Sequence, residues 1–292
     1  MIKLGLCCSF KKEPIRFRTT TAAYLMRCKE PLAHLNSIVA HNIEALEKAT
    51  NFCKRNGIGA FRINSDFLPV CTHPEVAYQL EDLPDGKEFK ERLSRDWGVR
   101  LSFHPDQFVV LSSPKEKVCE SSINELEYHG EIAELVNADV INIHAGGAYD
   151  SKEEALLRFA SNFEKLSERV QKRLTIENDD RTYTVEDLLP LCKRLSIPLV
   201  YDVHHHRCNR DHFSIEEATE AAISTWNREP LFHISSPLGG WKSKTPQKHS
   251  DYISIEDFPR CWLPLDLTVD VEAKAKELAV IEIKNDLQKL II

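Results

Sequence analysis

Imidazole and carboxylate side chains recur where short apolar stretches of this sequence end. One stretch, Leu199-Val200-Tyr201, runs into Asp202, and three consecutive histidines follow at positions 204–206. Five further apolar stretches end in, or close to, the same residue types: His104, His144, Glu177, His233 and Glu272. Imidazole nitrogens and carboxylate oxygens are the ligands that Zn²⁺ and Mn²⁺ take in proteins. These six positions are therefore candidates for a metal-dependent catalytic site.

A single histidine in an apolar strand is more often a hydrogen-bonded core residue than a metal ligand. Six donors that converge are different, because burying them without partners would be very costly. Six ligands are also too many for one closed tetrahedral site, so two or three divalent ions with a bridging carboxylate are expected. Glu177 lies between the other donors in chain order and is the expected bridge.

The donors can converge only if the strands that carry them share one end. Predicted strands cover residues 2–8, 59–64, 99–104, 140–145, 173–178, 198–203, 231–236 and 267–272. Predicted helices cover 35–55 (capped by Gly57), 116–136, 153–172, 185–195 and 214–226, and a last helix follows Glu272. This alternation favours a single TIM (β/α)8 barrel over residues 1–292 rather than a doubly wound sheet. In such a barrel the carboxyl ends of the strands form the catalytic mouth.

Composition places the chain among soluble globular enzymes, with 42% hydrophobic and 28% charged residues. No apolar stretch approaches the ~20 residues of a membrane span, and the N-terminal segment lacks the long apolar core of a secretory signal. A cytoplasmic location is expected. The net charge of −7 argues against broad, nonspecific binding of polyanions, but it leaves room for a local basic face.

Seven short motifs, in order along nearly the whole chain, resemble those of the UV damage endonucleases, TIM-barrel relatives of endonuclease IV. They are "FHPDQF", "INIHAGGAY", "TIENDD", "YDVHH", "HISSP", "KHSDY" and "VEAK". The resemblance implies a metal-dependent endodeoxyribonuclease acting on double-stranded DNA. It would nick the strand immediately 5′ of a UV photoproduct and leave a 3′-hydroxyl, which starts excision repair. A monomer is expected.

The resemblance also implies three sets of metal ligands. The first ion would be held by His104, His144 and Glu177. The second would be held by Glu177, Asp202, His233 and Glu272, and the third by His205 and His249. Glu177, His233 and Glu272 are the expected catalytic residues, and Mn²⁺ is the favoured ion, with Zn²⁺, Mg²⁺ and Co²⁺ left open. His204 is expected to face away, because neighbouring residues on a strand point in opposite directions.

DNA contacts follow from the same resemblance. Gln107 and Phe108 match the residues that the family pushes into the duplex at the lesion, and His73 lies in a matching "THP" loop. His206 is assigned either to a position beside the ligands or to a DNA-facing loop. Lys242 and Lys244 are candidate phosphate contacts. Further candidates of that kind are Lys11, Lys12, Arg16, Arg18 and Lys248.

Two other functions remain open from the sequence. The same ligands could serve a metal-dependent isomerase or epimerase acting on a small sugar. A DNA-damage binder without catalytic activity is the other alternative. This alternative is based on Leu231, which occupies a position where many relatives have a lysine. A leucine cannot bind metal. Leu6 and Phe10 also depart from the family pattern, since relatives have polar, DNA-contacting side chains there.

Overall fold

The computed structural model describes residues 1–291 and alternates strands with helices throughout. The strands are β1 (Ile2–Cys7), β2 (Ala60–Ile63), β3 (Arg100–Phe103), β4 (Val140–His144), β5 (Leu174–Glu177), β6 (Leu199–Val200), β7 (Leu231–Ile234) and β8 (Leu267–Val271). The helices are α1 (Ala22–Leu25), α2 (Pro31–Asn56), α3 (Gly86–Leu93), α4 (Glu116–Leu135), α5 (Lys152–Phe163), α6 (Glu168–Gln171), α7 (Val185–Leu195), α8 (Val203–Cys208), α9 (Ile215–Ile223) and α10 (Glu277–Ile291). No helix in this part of the chain is long and apolar enough to cross a membrane.

The eight strands form one parallel sheet in the order β6-β5-β4-β3-β2-β1-β8-β7. Its two edges meet at a single bridge between Asp202 and His233, where the His233 N–H donates to the Tyr201 carbonyl at 3.0 Å. The sheet is therefore a nearly closed barrel, and the predicted TIM-barrel fold is confirmed. Around this barrel β3 and β7 stand opposite each other, because three strands separate them on either side.

Most predicted helices are confirmed, and the departures have local causes. Gly57 closes α2 in a left-handed conformation (φ 61°), as its position predicted. The helix predicted over 153–172 is divided into α5 and α6, and between them the Ser167 N–H donates to Glu127 of α4 at 2.7 Å. The strand predicted over 198–203 is shorter, because the Asp202 side chain accepts from the His205 N–H and starts α8. Helices α1, α3 and α8 were not predicted.

The outward face of the barrel wall is apolar, whereas much of its inward face is polar. The outward residues, such as Phe61, Ile143 and Phe232, pack against the helices in the main core. The lumen instead holds buried polar side chains: Arg62, Ser102, Asn142, Thr175, Thr268 and Asp270. Since strand side chains alternate between faces, this arrangement gives the mouth a polar floor.

Gly5 makes room for one of these lumen side chains, and this gives a stability prediction. A Cβ at Gly5 would lie 2.0 Å from Asp270 Oδ1. We expect Gly5→Ala to lower the free energy of unfolding by about 1–3 kcal/mol, the usual cost of forcing extra volume into a packed interior. Urea denaturation of the metal-free protein measures this loss.

Gly147 provides the matched control, because its added Cβ would meet nothing closer than 3.6 Å. Gly147→Ala should change the free energy of unfolding by less than about 0.5 kcal/mol. Equal effects of the two substitutions would show that the Asp270 carboxylate can move aside.

Candidate metal centre

The predicted donors lie at the carboxyl ends of the strands. His104 directly follows β3, and His144 and Glu177 are the last residues of β4 and β5. Asp202 follows β6, and Glu272 directly follows β8. His233 is the third residue of β7 and reaches the same mouth. The convergence that the sequence predicted is present in the structure.

Glu177 lies at the centre of this group and is only 1% exposed. One of its oxygens, Oε2, is 3.1 Å from His104 Nε2 and 3.9 Å from His144 Nε2. The other, Oε1, is 3.1 Å from His233 Nδ1 and 3.2 Å from His205 Nδ1. A single carboxylate therefore has imidazoles around both of its oxygens, as a bridging ligand would.

Two compact ligand sets share this carboxylate. His104, His144 and Glu177 each offer an atom within 4.8 Å of the others, and so do Glu177, Asp202 and His233. Asp202 Oδ2 is buried without a hydrogen-bond partner. Because an unpaired buried polar atom is costly, this oxygen fits a divalent cation. Glu272 adjoins the second set, with Oε1 3.5 Å from His233 Nδ1.

The residues assigned to a third ion are near one another but less compact. His205 lies on α8, and its ring centroid is 6.4 Å from that of His249. His249 Nδ1 is 3.2 Å from Ser235 Oγ and 3.9 Å from Glu272 Oε2. Within residues 1–291 these histidines do not form a third compact set with another donor.

His204 does not follow the strand alternation expected of it, because it lies on α8 rather than on a strand. Its ring is buried, with its centroid 5.1 Å from His249 and 5.1 Å from Trp241. Its Nε2 has no hydrogen-bond partner. Aspartate is a favourable N-cap residue, and here Asp202 accepts from the His205 N–H and starts the helix one residue before His204. Asp202 is therefore the feature of the sequence that predicts a helix at His204.

A buried arginine, which the sequence reasoning missed, lies beneath the ligands. Arg62 of β2 is 6% exposed and donates to Glu272 Oε1 at 2.6 Å and to Asp270 Oδ2 at 3.2 Å. It also donates to the Cys7 sulfur at 2.8 Å. The guanidinium therefore fixes one carboxylate of the mouth from below.

Two buried asparagines hold other ligands in a similar way. Asn142 donates to Glu177 Oε2 at 2.5 Å and accepts from the Thr175 hydroxyl at 3.0 Å. The Asn178 side chain accepts from the Asp202 N–H and donates to the Asp202 carbonyl, both at 2.9 Å. Such partners orient ligands and are part of a working metal site.

Ion pairing sets the protonation of the mouth in the metal-free protein. Burial alone would lower the pKa of His233, but the Glu177 and Glu272 carboxylates outweigh it and raise that pKa to about 9. Burial opposes the charge of Glu177 as well, yet the imidazoles of His233 and His144 hold its pKa well below the usual range. The metal-free site therefore carries a proton on His233 at neutral pH.

This proton gives a pH prediction. It must leave before the nitrogen binds a metal, so the affinity for Mn²⁺ should rise by about tenfold per pH unit from about 6.5 to 9. Calorimetric titration at several pH values, in buffers with different ionisation enthalpies, measures both the affinity and the released proton. An affinity independent of pH in this range would contradict the protonated state of His233.

The stability of the metal-free protein should change in the opposite sense. A histidine whose folded pKa lies above its unfolded value of about 6.5 stabilises fully below that pH, and the contribution is lost as the pH rises through 9. The free energy of unfolding from urea titrations should therefore fall between these pH values. Excess Mn²⁺ serves as the control, because the loaded site should lose much of this dependence.

The predicted wedge residues protrude from the loop after β3. Phe108 is 77% exposed, and its backbone N–H donates to Asp106 Oδ1 at 3.0 Å. Gln107 beside it is exposed as well. Phe108 also lines a cavity of about 800 Å³ together with His73. The structure thus brings Phe108 of the predicted wedge and the "THP" loop to one cavity.

The other residues expected at the DNA side are divided between surface and interior. Lys242 and Lys244 are exposed in the segment between β7 and β8. His206 is 4% exposed and lies between the Tyr201 hydroxyl (2.5 Å) and Asp211 (3.3 Å). Of the two roles left open for His206, its burial favours the one beside the ligands over a DNA contact.

The departures from the family pattern are all core residues. Leu231 is buried in the lumen and clusters with Val140 and Val200. Leu6 and Phe10 belong to the main core, where the Phe10 ring packs edge-on against Phe52. These positions therefore contribute packing and present no side chain to a ligand at the surface.

Comparisons with known proteins agree with these features. The family model described as UV-endonuclease UvdE matches residues 2–291. A UV DNA damage endonuclease of Bacillus cereus is 31% identical over 291 residues, which cover 95% of this chain and 90% of the relative. The crystal structure of SacUVDE superposes with a TM-score of 0.89 at 27% identity, covering 100% of this chain and 99% of the other. Endonuclease IV from Thermus thermophilus has a TM-score of 0.63 at 15% identity, covers 99% of this chain and 98% of its own, and is similar in fold.

Proposed function

The chain belongs to the UV-endonuclease UvdE family, and from this premise we propose that it is a metal-dependent DNA repair endonuclease. It nicks duplex DNA immediately 5′ of UV photoproducts and leaves a 3′-hydroxyl. It acts as a monomer in the cytoplasm. The observation that carries this proposal is the pair of ligand sets that share Glu177 at the mouth of the barrel.

The ligand roles are proposed as follows. His104, His144 and Glu177 hold one ion. Glu177, Asp202, His233 and Glu272 hold a second, and His205 and His249 hold a third. Mn²⁺ is the proposed ion, since nitrogen and oxygen donors are both present in the sets. When bound, such ions supply Lewis-acid stabilisation of the charge that develops on a phosphate during cleavage.

The protein groups around the ions hold and orient the side chains that bind them. Arg62 fixes Glu272 and Asn142 fixes Glu177, so the catalytic residues Glu177, His233 and Glu272 meet the DNA in a preset arrangement. Because Glu177 and His233 are buried and Glu272 is only partly exposed, the backbone of the DNA must come to them.

The loops around the mouth bring the DNA to this site. Gln107 and Phe108 enter the duplex at the lesion, where unstacked bases leave space for an aromatic side chain. His73 contacts the lesion from the same cavity. Lys242 and Lys244 bind phosphates, which supply most of the affinity for DNA.

A labelled duplex with one defined UV photoproduct tests the proposal. With Mn²⁺ the protein should nick the damaged strand directly 5′ of the lesion, and an undamaged duplex or added chelator should prevent the nick. Damage-selective binding without a nick under several divalent metals would favour the binder instead. Turnover of a small polyol without DNA would favour the isomerase.

A further inference from the structure

An exposed leucine stands at the rim of the mouth in the long segment between β7 and β8. Leu238 is 54% exposed and occupies a corner of the turn Pro237–Gly240, in which the Gly240 N–H donates to the Pro237 carbonyl at 3.1 Å. Its own N–H donates to the Lys248 carbonyl at 2.7 Å. Lys248 is followed directly by His249, so this tip is joined through the backbone to the metal centre.

The tip is exposed, but its base is held firmly. Pro237 and His249 form an antiparallel bridge. Just beyond the turn, the Trp241 indole donates to Asp257 Oδ1 at 2.7 Å, and the Arg207 guanidinium lies 5.4 Å from its ring centroid. A turn anchored on both sides presents its apolar side chain in one place, which distinguishes Leu238 from a surface leucine on a mobile loop.

The position of this tip complements that of the wedge. Phe108 follows β3 and Leu238 follows β7, and these strands stand opposite each other in the barrel. The loops that carry these two exposed apolar side chains therefore leave the mouth from opposite sides of the barrel. Exposed lysines accompany Leu238, with Lys242, Lys244 and Lys248 within ten residues of it. An apolar tip beside cations suits the bases and phosphates of a nucleic acid.

We propose that Leu238 is a second apolar wedge, which contacts the base stack on the far side of the scissile phosphate from Phe108. This inference rests on the proposed function, because it requires that damaged duplex DNA lies across the mouth. Two wedges on either side of one phosphate would both favour DNA that is already unstacked. Leu238 is thus a specificity-determining residue for damaged DNA.

Fluorescence from 2-aminopurine tests this directly. The base is placed at successive positions on both sides of a defined photoproduct, and its emission is followed by stopped flow with Mn²⁺ before nicking occurs. Wild-type protein should increase the emission in two separate places, because each wedge unstacks its neighbours. Leu238→Ala should remove one increase and Phe108→Ala the other. Leu238→Phe should keep both.

Leu157→Ala is the matched control, because Leu157 is 50% exposed on α5 and lies outside the mouth. Leu238→Ala should also reduce the preference for damaged over undamaged duplex by roughly fivefold or more, as expected when an apolar wedge that holds unstacked DNA is lost. An unchanged emission pattern in Leu238→Ala, or an equal loss of affinity for both duplexes, would overturn the wedge. The proposed nuclease activity and the proposed second wedge can be refuted separately. A wild-type protein that unstacks bases at both places but never nicks would refute the nuclease activity and still support the wedge. Absence of any DNA binding would refute both.

Discussion

Glu177→Gln is expected to reduce Mn²⁺-dependent nicking of UV-damaged DNA by at least about 100-fold. The expectation follows from geometry, since both oxygens of this buried carboxylate lie among the imidazoles of the mouth. Removing partners that only orient ligands already costs 10- to 100-fold in affinity or activity, and Glu177 is itself shared by both ligand sets. The nicking rate at saturating Mn²⁺ and the Mn²⁺ affinity should fall together.

Glu153→Gln makes the same chemical change at an exposed position on α5 and should nick at the wild-type rate. Circular dichroism and thermal melting of Glu177→Gln should show that the barrel is still folded, because glutamine has nearly the same shape. A folded variant that binds Mn²⁺ weakly and still nicks at the wild-type rate would remove Glu177 from the mechanism.

Arg62→Met is expected to cost about 3–5 kcal/mol of the free energy of unfolding in the metal-free protein. Methionine fills a similar volume, but it leaves the Asp270 and Glu272 carboxylates without their cation. Breaking a buried ion pair in this way is far more costly than losing a surface pair, because a charge remains in a poorly solvated place. Urea denaturation with chelator present measures the loss.

Arg92→Met is the control, since Arg92 pairs with Glu47 at 3.2 Å near the surface and its side chain is 31% exposed. It should cost no more than about 1 kcal/mol. Adding Asp270→Asn to Arg62→Met should recover part of the stability, because it removes one of the two uncompensated charges. If Arg62→Met and Arg92→Met lose the same amount of stability, the lumen must admit enough water to solvate the carboxylates.

The convergence of the candidate ligands could be predicted from the sequence because their chemistry and their placement coincide. Glu177 and His144 end apolar, β-branched stretches, and strand ends of a parallel barrel meet at one mouth. The exposed Gln107 and Phe108 came from the resemblance instead. Nothing in their local sequence separates a protruding phenylalanine from one that packs back on the barrel.

What the sequence did not reveal depends on contacts between distant segments. Arg62 lies within a predicted strand, and its partners Asp270 and Glu272 are more than 200 residues away. A charged residue in a strand covered on both faces is the one local signal of a polar lumen. The break between α5 and α6 coincides with the hydrogen bond from the Ser167 N–H to Glu127 of α4. Hydrophobic periodicity along the chain cannot predict such a bond.

The seam between β6 and β7 has a mechanical consequence. It is the one junction of the barrel that lacks a strand ladder among the described residues, and its single bridge joins Asp202 to His233. Both residues are proposed ligands of the same ion, so a bound cation would join β6 and β7 at the junction that has a single bridge in place of a ladder. Loading the site would then slow the exchange of amide hydrogens in β6 and β7 with solvent more than elsewhere in the barrel. Closing the wall and assembling the catalytic centre would be the same event.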